Sequence, residues 1–355
     1  MLNRMDNRDN IKAVIHCLRY NIPFAFYILP GETKGCFFAN PSMPGSCQSR
    51  SERKFIISPW LSRFEQAITI CDESNAHQIL DFKPEMMPEG LTPFAKSTSY
   101  DRYIERLSIL IKHLSTRNGK TVFSRTICGD MDNVDIETLI TKHFNSFPQT
   151  FRYVYFTPQT GAWLGTSPEI LLEYNYNSET FRTMALAVTR PSDDHTPWDE
   201  KTIEEQDIVT RFISSELDKS GVEYTIKRMD DYVFPPVKHI CDIFTGKFKA
   251  DSLPDIINRL NPTPALGGYP VDNAIEDINR FELHPRRCYG GFVAVNDDSD
   301  FKAYVNLRCM NFSSTHYCIY TGGGITSSSL PQAEWIETEN KSDILRRNIT
   351  LSTIV

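Results

Sequence analysis

Three carboxylates, two lysines and an arginine are the side chains whose type and spacing could do chemistry in this chain of 355 residues. Positions 205, 208, 209 and 212 fall on one face at helical spacing, so Glu205 shares the side that Ile208, Val209 and Phe212 turn toward a core. A carboxylate carried inward needs a partner. Glu337 and Lys341 stand four apart, the spacing of a helical ion pair, and Ile344 and Leu345 continue the same face. Two inward glutamates on separate helices suit Mg²⁺, a hard cation that takes oxygen ligands and completes its shell with water and an anionic substrate. Lys120 opens a β-branched run after Gly119, and Glu169 follows Gly165-Thr-Ser-Pro168 at the head of another. Arg308 ends Val305-Asn-Leu-Arg308, where its planar fork could clamp a carboxylate. Gly322-Gly-Gly324 permits close backbone approach to a ligand, but no Lys-Ser/Thr follows and Gly-x-Gly-x-x-Gly is absent, which weakens a phosphate-loop reading. Taken singly, each has a plain alternative: a helix-start glutamate favoured by the dipole, a surface ion pair, a solvated lysine, an exposed arginine.

The elements that must position these groups are strands first. Thr121-Val-Phe-Ser-Arg-Thr-Ile127, Phe151-Arg-Tyr-Val-Tyr-Phe156 and Ile170-Leu-Leu-Glu-Tyr174 are β-branched and aromatic runs bounded by turn residues. Gly290–Val295 and Phe301–Arg308 flank Asn296-Asp-Asp-Ser-Asp300, which predicts a hairpin. Two helices are predicted around Glu205–Ile213, ending near Lys219-Ser-Gly221, and around Glu337–Leu345. Before residue 115, short apolar stretches such as Phe24–Leu29 and Phe55–Ile57 alternate with turns, and Tyr103–Ile111 has helical spacing. Hairpin-joined strands capped by helices predict an α+β fold, mostly antiparallel sheets covered by helices in a single large domain, rather than βαβ units.

Composition sets the outer limits. Hydrophobic content of 40% and charged content of 23% belong to a chain that folds. A net charge of −7 argues against general affinity for nucleic acid or anionic membrane. The polar start and the absence of a long apolar run predict no membrane span and a cytoplasmic address. Nine scattered cysteines lack a C-x-x-C pair, and eight histidines lack close spacing, so a His/Cys metal site is not expected.

Six ordered blocks resemble the chorismate-utilising enzymes, the family of isochorismate, salicylate, anthranilate and aminodeoxychorismate synthases. They are Lys120-Thr-Val-Phe-Ser-Arg125, Gly165-Thr-Ser-Pro-Glu-Ile-Leu-Leu172, Ala185-Leu-Ala-Val-Thr-Arg-Pro191, Glu204-Glu-Gln-Asp-Ile-Val209, Pro262-Thr-Pro-Ala-Leu-Gly-Gly-Tyr-Pro270 and a closing stretch. The last comprises Tyr289-Gly-Gly, Asn306-Leu-Arg-Cys309, Gly322-Gly-Gly-Ile325 and Glu334-Trp-Ile-Glu-Thr-Glu-Asn-Lys341. The resemblance spans residues 116–355 as a chorismate-binding catalytic region and matches residues 1–115 only weakly, the two parts forming one intertwined domain.

The resemblance implies that Glu205 and Glu337 hold Mg²⁺, and that Val188, Thr189, Ala265, Arg308, Gly322 and Lys341 bind the substrate, chorismate. It implies Lys120 as the general base for water attack at C2 of the ring and Glu169 as the general acid for the departing C4 hydroxyl. The expected product is isochorismate, with menaquinone synthesis the expected destination and a monomer the expected state. The aminodeoxychorismate synthases place a nucleophilic lysine where this chain has Ala187, and the amine-adding enzymes lack the base lysine that Lys120 matches. Salicylate synthase, an amine-adding subunit and a non-catalytic chorismate-binding paralogue stay open. Two positions depart from the family's pattern: Val188 replaces a glycine, and Asn261 replaces a histidine before Pro262-Thr-Pro264.

Overall fold

The computed structural model describes residues 7–41, 53–82, 90–94, 96–117, 119–188, 190–234 and 237–353. The helices among them are α1 (Asn7–Tyr20), α2 (Ala76–Asp81), α3 (Tyr100–Leu114), α4 (Ile136–Asn145), α5 (Glu200–Lys219), α6 (Leu253–Leu260), α7 (Val271–Phe281) and α8 (Pro331–Thr350). Two antiparallel sheets make up the rest of the frame. The first runs in the order β13 (Gly268–Tyr269), β5 (Lys120–Asp130), β17 (His316–Ile325), β16 (Cys309–Phe312), β7 (Gly161–Ser167), β6 (Phe151–Thr157), β1 (Phe24–Ile28), β2 (Cys36–Ala39). The second runs β10 (Arg190–Pro191), β12 (Val237–Lys247), β9 (Thr180–Ala185), β8 (Ile170–Asn175), β15 (Asp300–Val305), β14 (Phe292–Asn296), β3 (Lys54–Ser58), β4 (Ile68–Cys71), with β11 (Glu223–Phe234) also on β12. The α+β expectation is met, as is the predicted hairpin, in which Phe292 pairs with Val305 and Asn296 with Phe301.

The inner faces of the sheets meet in one apolar layer. Tyr27, Tyr153, Tyr155 and Trp163 from the first sheet pack with Phe55, Leu172 and Phe292 from the second. Phe151 and Tyr304 stack across it with ring centroids 4.3 Å apart and planes 4° apart, an aromatic contact of the kind that adds to simple burial. On β1 the opposite side chains, Phe24, Phe26 and Ile28, join a second core with α1, α4 and α8. Burial of β1 on both faces is why Phe24–Leu29 reads as a continuous apolar run without alternation.

Helix α5 lies on the second sheet through Val209, Phe212, Ile213 and Leu217. Its start is fixed by Asp199, whose side chain accepts the Thr202 N–H, satisfying one of the otherwise orphaned first-turn donors. Gly221, at φ +65°, ends it in the left-handed conformation that glycine adopts freely. Helix α8 packs along β17 and buries Leu345 and Ile349 in the second core. α5 and α8 therefore bring the two glutamates to one region between the ends of the sheets. No helix among the described residues is long and apolar enough to cross a membrane.

Candidate active site

Where β5, β17, α5 and α8 converge there is a cavity of about 300 Å³ whose wall includes Lys120, Glu169, Glu205, Arg308, Glu337 and Lys341. Ala265, Gly322 and Ala187 complete the contribution of the sequence-predicted positions to that wall. A wider space of about 670 Å³ adjoins it and shares Ala187, Glu205, Arg308, Glu337 and Lys341. Val188 lines this outer space and not the inner cavity, so it is set apart from the other expected substrate contacts. Thr189 lies outside the described residues.

Lys120 is 6% exposed, which an isolated lysine at a strand start rarely is. Its burial follows from pairing on both sides of β5: Tyr269 opposes it on β13, and Gly324 opposes Val122 on β17. A Cβ on Gly324 would overlap Lys120 Cε and stand 2.9 Å from Nζ, so the lysine stem crosses β17 over a bare glycine. Burial pulls the Lys120 amine below its ordinary range, with Lys341 adding to that and Glu205, Glu337 and Glu334 opposing it. Gly324→Ala is therefore expected to displace the amine and cut turnover roughly 10–100-fold while circular dichroism stays unchanged. An alanine variant with full turnover would show that the stem does not need this path.

Glu169 sits in the corner between β7 and β8. Its N–H donates to Ser167 Oγ at 3.2 Å and its carbonyl accepts from the Val305 N–H at 3.1 Å, which fixes the backbone. The side chain is 3% exposed. Burial pushes the carboxyl up to about 8, against the lowering effects of the Thr263 hydroxyl, which donates to Oε1 at 3.4 Å, and of the Arg308 charge. Such a group is protonated at neutral pH and has a proton to give. Arg308 itself adopts φ +44°, a left-handed conformation costly for a residue with a Cβ, and the Thr166 N–H on its carbonyl at 3.2 Å helps hold it.

The α8 carboxylates lean over Gly323, where an added Cβ would stand 3.0 Å from Glu334 Oε2 and 3.7 Å from Glu337 Oε1. Glu337 also pairs with Lys341 at 2.7 Å, and Lys341 Nζ donates to the Gly322 carbonyl at 3.0 Å. Both side chains stay nearly half exposed, at 47% and 44%. Glu337 therefore guards an open mouth and is not sunk in the core, as its helical face had suggested.

Two groups escaped the sequence reading. Glu334 lines the cavity; its Oε1 accepts the Ser329 hydroxyl at 2.7 Å, while its Oε2 is buried without a hydrogen-bond partner. Burial raises its carboxyl, and the Glu337 and Glu205 charges add to the rise. The three-residue step from Glu334 to Glu337 on one helix was the available signal. His239 is held down to about 4 by burial, with the Arg308 charge adding to the effect and its hydrogen bond to Val188 opposing it. The ring is thus neutral at pH 7, and because Val188 O can only accept, Nδ1 carries the proton of their 2.7 Å bond.

Among the described residues no cluster of three or more His, Cys, Asp or Glu side chains forms a ready-made metal cage. The donor set of Glu205 and Glu337, with the orphaned Glu334 Oε2 beside them, instead fits a cation that binds through few carboxylates and keeps sites for water and an anionic ligand.

A buried lysine, a protonated glutamate and a group of carboxylates thus share one cavity between two antiparallel sheets. The chorismate binding enzyme family model matches residues 50–350, and the chain belongs to that family. Isochorismate synthase EntC of Escherichia coli is 25% identical over 257 residues, 68% of this chain and 65% of EntC. Anthranilate synthase component 1 of Bacillus pumilus is 36% identical over 121 residues, 34% of this chain and 24% of the relative. The chain thus spans less than two thirds of these relatives' length. Two solved structures share its fold at a TM-score of 0.74. The putative 2,3-dihydroxybenzoate-specific isochorismate synthase DhbC of Bacillus anthracis is 17% identical, covering 93% of this chain and 96% of its own. MenF, the menaquinone-specific isochorismate synthase of E. coli, is 19% identical, covering 92% and 88%.

Proposed function

We propose that this chain converts chorismate to isochorismate, and that the observation carrying the reading is one buried wall holding both a depressed lysine and a protonated glutamate. Lys120, in its unprotonated form, takes a proton from the water that attacks C2 of the ring. Glu169 gives its proton to the C4 hydroxyl, which leaves as water while the ring double bond shifts. Arg308 and Lys341 bind carboxylates, and the backbone at Ala265 and Gly322 orients the ring. Glu205 and Glu337 would hold Mg²⁺, whose positive charge when bound neutralises substrate carboxylate. Both departures from the family's pattern, Val188 and Asn261, lie off the inner cavity wall, which favours turnover over binding alone. Residues 1–115 supply edge strands to both sheets, consistent with one intertwined unit. The pathway we favour is menaquinone synthesis, with the chain acting as a monomer.

Purified protein incubated with chorismate and Mg²⁺ should yield isochorismate by chromatography. Fluorescent salicylate in its place would establish pyruvate elimination, and an ammonia-dependent aromatic amine would establish the amine-adding alternative. Chorismate binding by calorimetry without any product would reduce the chain to a binding protein. Glu205→Ala and Glu337→Ala should each raise the Mg²⁺ concentration needed for half-maximal rate by roughly 10–100-fold, the range seen when a metal-site partner is removed. An unchanged Mg²⁺ titration in both would remove these glutamates from the metal site.

A further inference from the structure

Strands β5 and β17 carry a feature that the proposed reaction does not use. Cys128 on β5 lies directly opposite Cys318 on β17. Directly opposed residues of an antiparallel pair share a face, with Cα atoms about 4.5–5.5 Å apart, inside the ~4.4–6.8 Å span that a disulfide bridges. Both are free thiols here, and their Sγ atoms are 2.6 Å apart. Their surroundings differ. Cys128 is partly exposed, with Sγ 3.3 Å from the Lys96 carbonyl and its backbone N–H on Ser97 Oγ at 2.8 Å. Cys318 is fully buried.

We propose that Cys128 and Cys318 form a reversible redox modification site that closes to a cross-strand disulfide by exchange with a low-molecular-weight disulfide. Cys128 is the attacking thiol. The Cys318 S–H directed at it holds its thiol below the ordinary range against the opposing effect of burial, and Thr126 and the Arg287 charge act in the same direction as Cys318. Its thiolate attacks one sulfur of the small disulfide, that S–S bond breaks, and one small thiolate leaves. Cys318 then gives its proton to solvent and attacks the Cys128 sulfur of the mixed disulfide, expelling the second small thiolate. Two protein thiols are oxidised and one small disulfide is reduced to two thiols. Because the resolving sulfur is already in contact, the second step is intramolecular and should outrun accumulation of the mixed disulfide. The link would clamp the strand that begins at Lys120 to the strand that carries Gly322–Gly324.

The test treats the full, pre-reduced chain with oxidised glutathione, blocks remaining thiols by alkylation and digests it without reductant for mass spectrometry. The expected result is loss of two alkylatable thiols and a Cys128 peptide joined to the Cys318 peptide, reversed by dithiothreitol. Cys318→Ser should stop at a glutathione adduct on Cys128, and Cys128→Ser should leave Cys318 unmodified. A wild-type chain that accumulates the Cys128 adduct with Cys318 still alkylatable overturns the proposal. So does one that keeps both thiols, or pairs either with another cysteine.

Discussion

Lys120→Ala is expected to lower kcat on chorismate by roughly 10²–10⁴-fold, the usual contribution of a positioned general base, with much less change in KM. Burial pulls the amine toward neutrality, as it does the His239 ring on the same wall; Arg308, also on that wall, keeps its charge at any physiological pH. Lys120→Met preserves the stem that lies over Gly324 and separates loss of the base from loss of packing. Because the native site disfavours the charged amine, the Met variant should melt no lower than the parent, in contrast to most substitutions of a buried residue. A loss of kcat smaller than tenfold, or a loss confined to KM, would assign the proton transfer elsewhere.

Glu169→Gln should be as damaging to kcat, since an amide cannot donate the proton that the C4 hydroxyl needs to leave, yet it keeps the size of the side chain beside Thr263. Its second effect is on stability. The folded-state value of about 8 lies above the ordinary 4.5, so between these values the folded protein holds a proton that the unfolded chain has lost. The stabilisation tied to that proton is fully present below pH 4.5 and is lost as pH rises through 8, at most about 1.4 kcal/mol per pH unit. The parent should therefore weaken steadily from pH 5 to 8 in urea melts. Glu169→Gln should flatten that slope by one proton. Equal slopes in the two proteins would mean that Glu169 is ionised in the native site.

Helical and strand periodicity made much of this legible. Glu205 lines the cavity on the side of α5 that carries Val209 and Phe212 into the core, although Ile208, expected on that face, is only half-buried and outside that core. The 290–308 hairpin follows from its polar turn, and both depend on interactions within a few residues. The burial of Lys120 was not legible from its neighbours, since it depends on Tyr269 and Gly324, far along the chain, taking their places on either side of β5. Glu334 is hidden for a related reason: Ser329, in the loop before α8, reaches its Oε1, a contact that helical periodicity does not show. The six blocks pointed to a common pocket only through their resemblance to the family, which carries the long-range information that periodicity lacks.

The edge strands of the amino-terminal part have a further consequence. Strand β1 pairs locally with β2, and β3 with β4, but Phe24 also pairs with Phe156 and Ser58 with Phe292, so one side of each apolar pair stays open until these far later segments have been made. Such distant closure makes folding slow and exposes sticky edges meanwhile. Refolding yield should accordingly fall steeply with protein concentration and recover when a chaperone shelters the early chain.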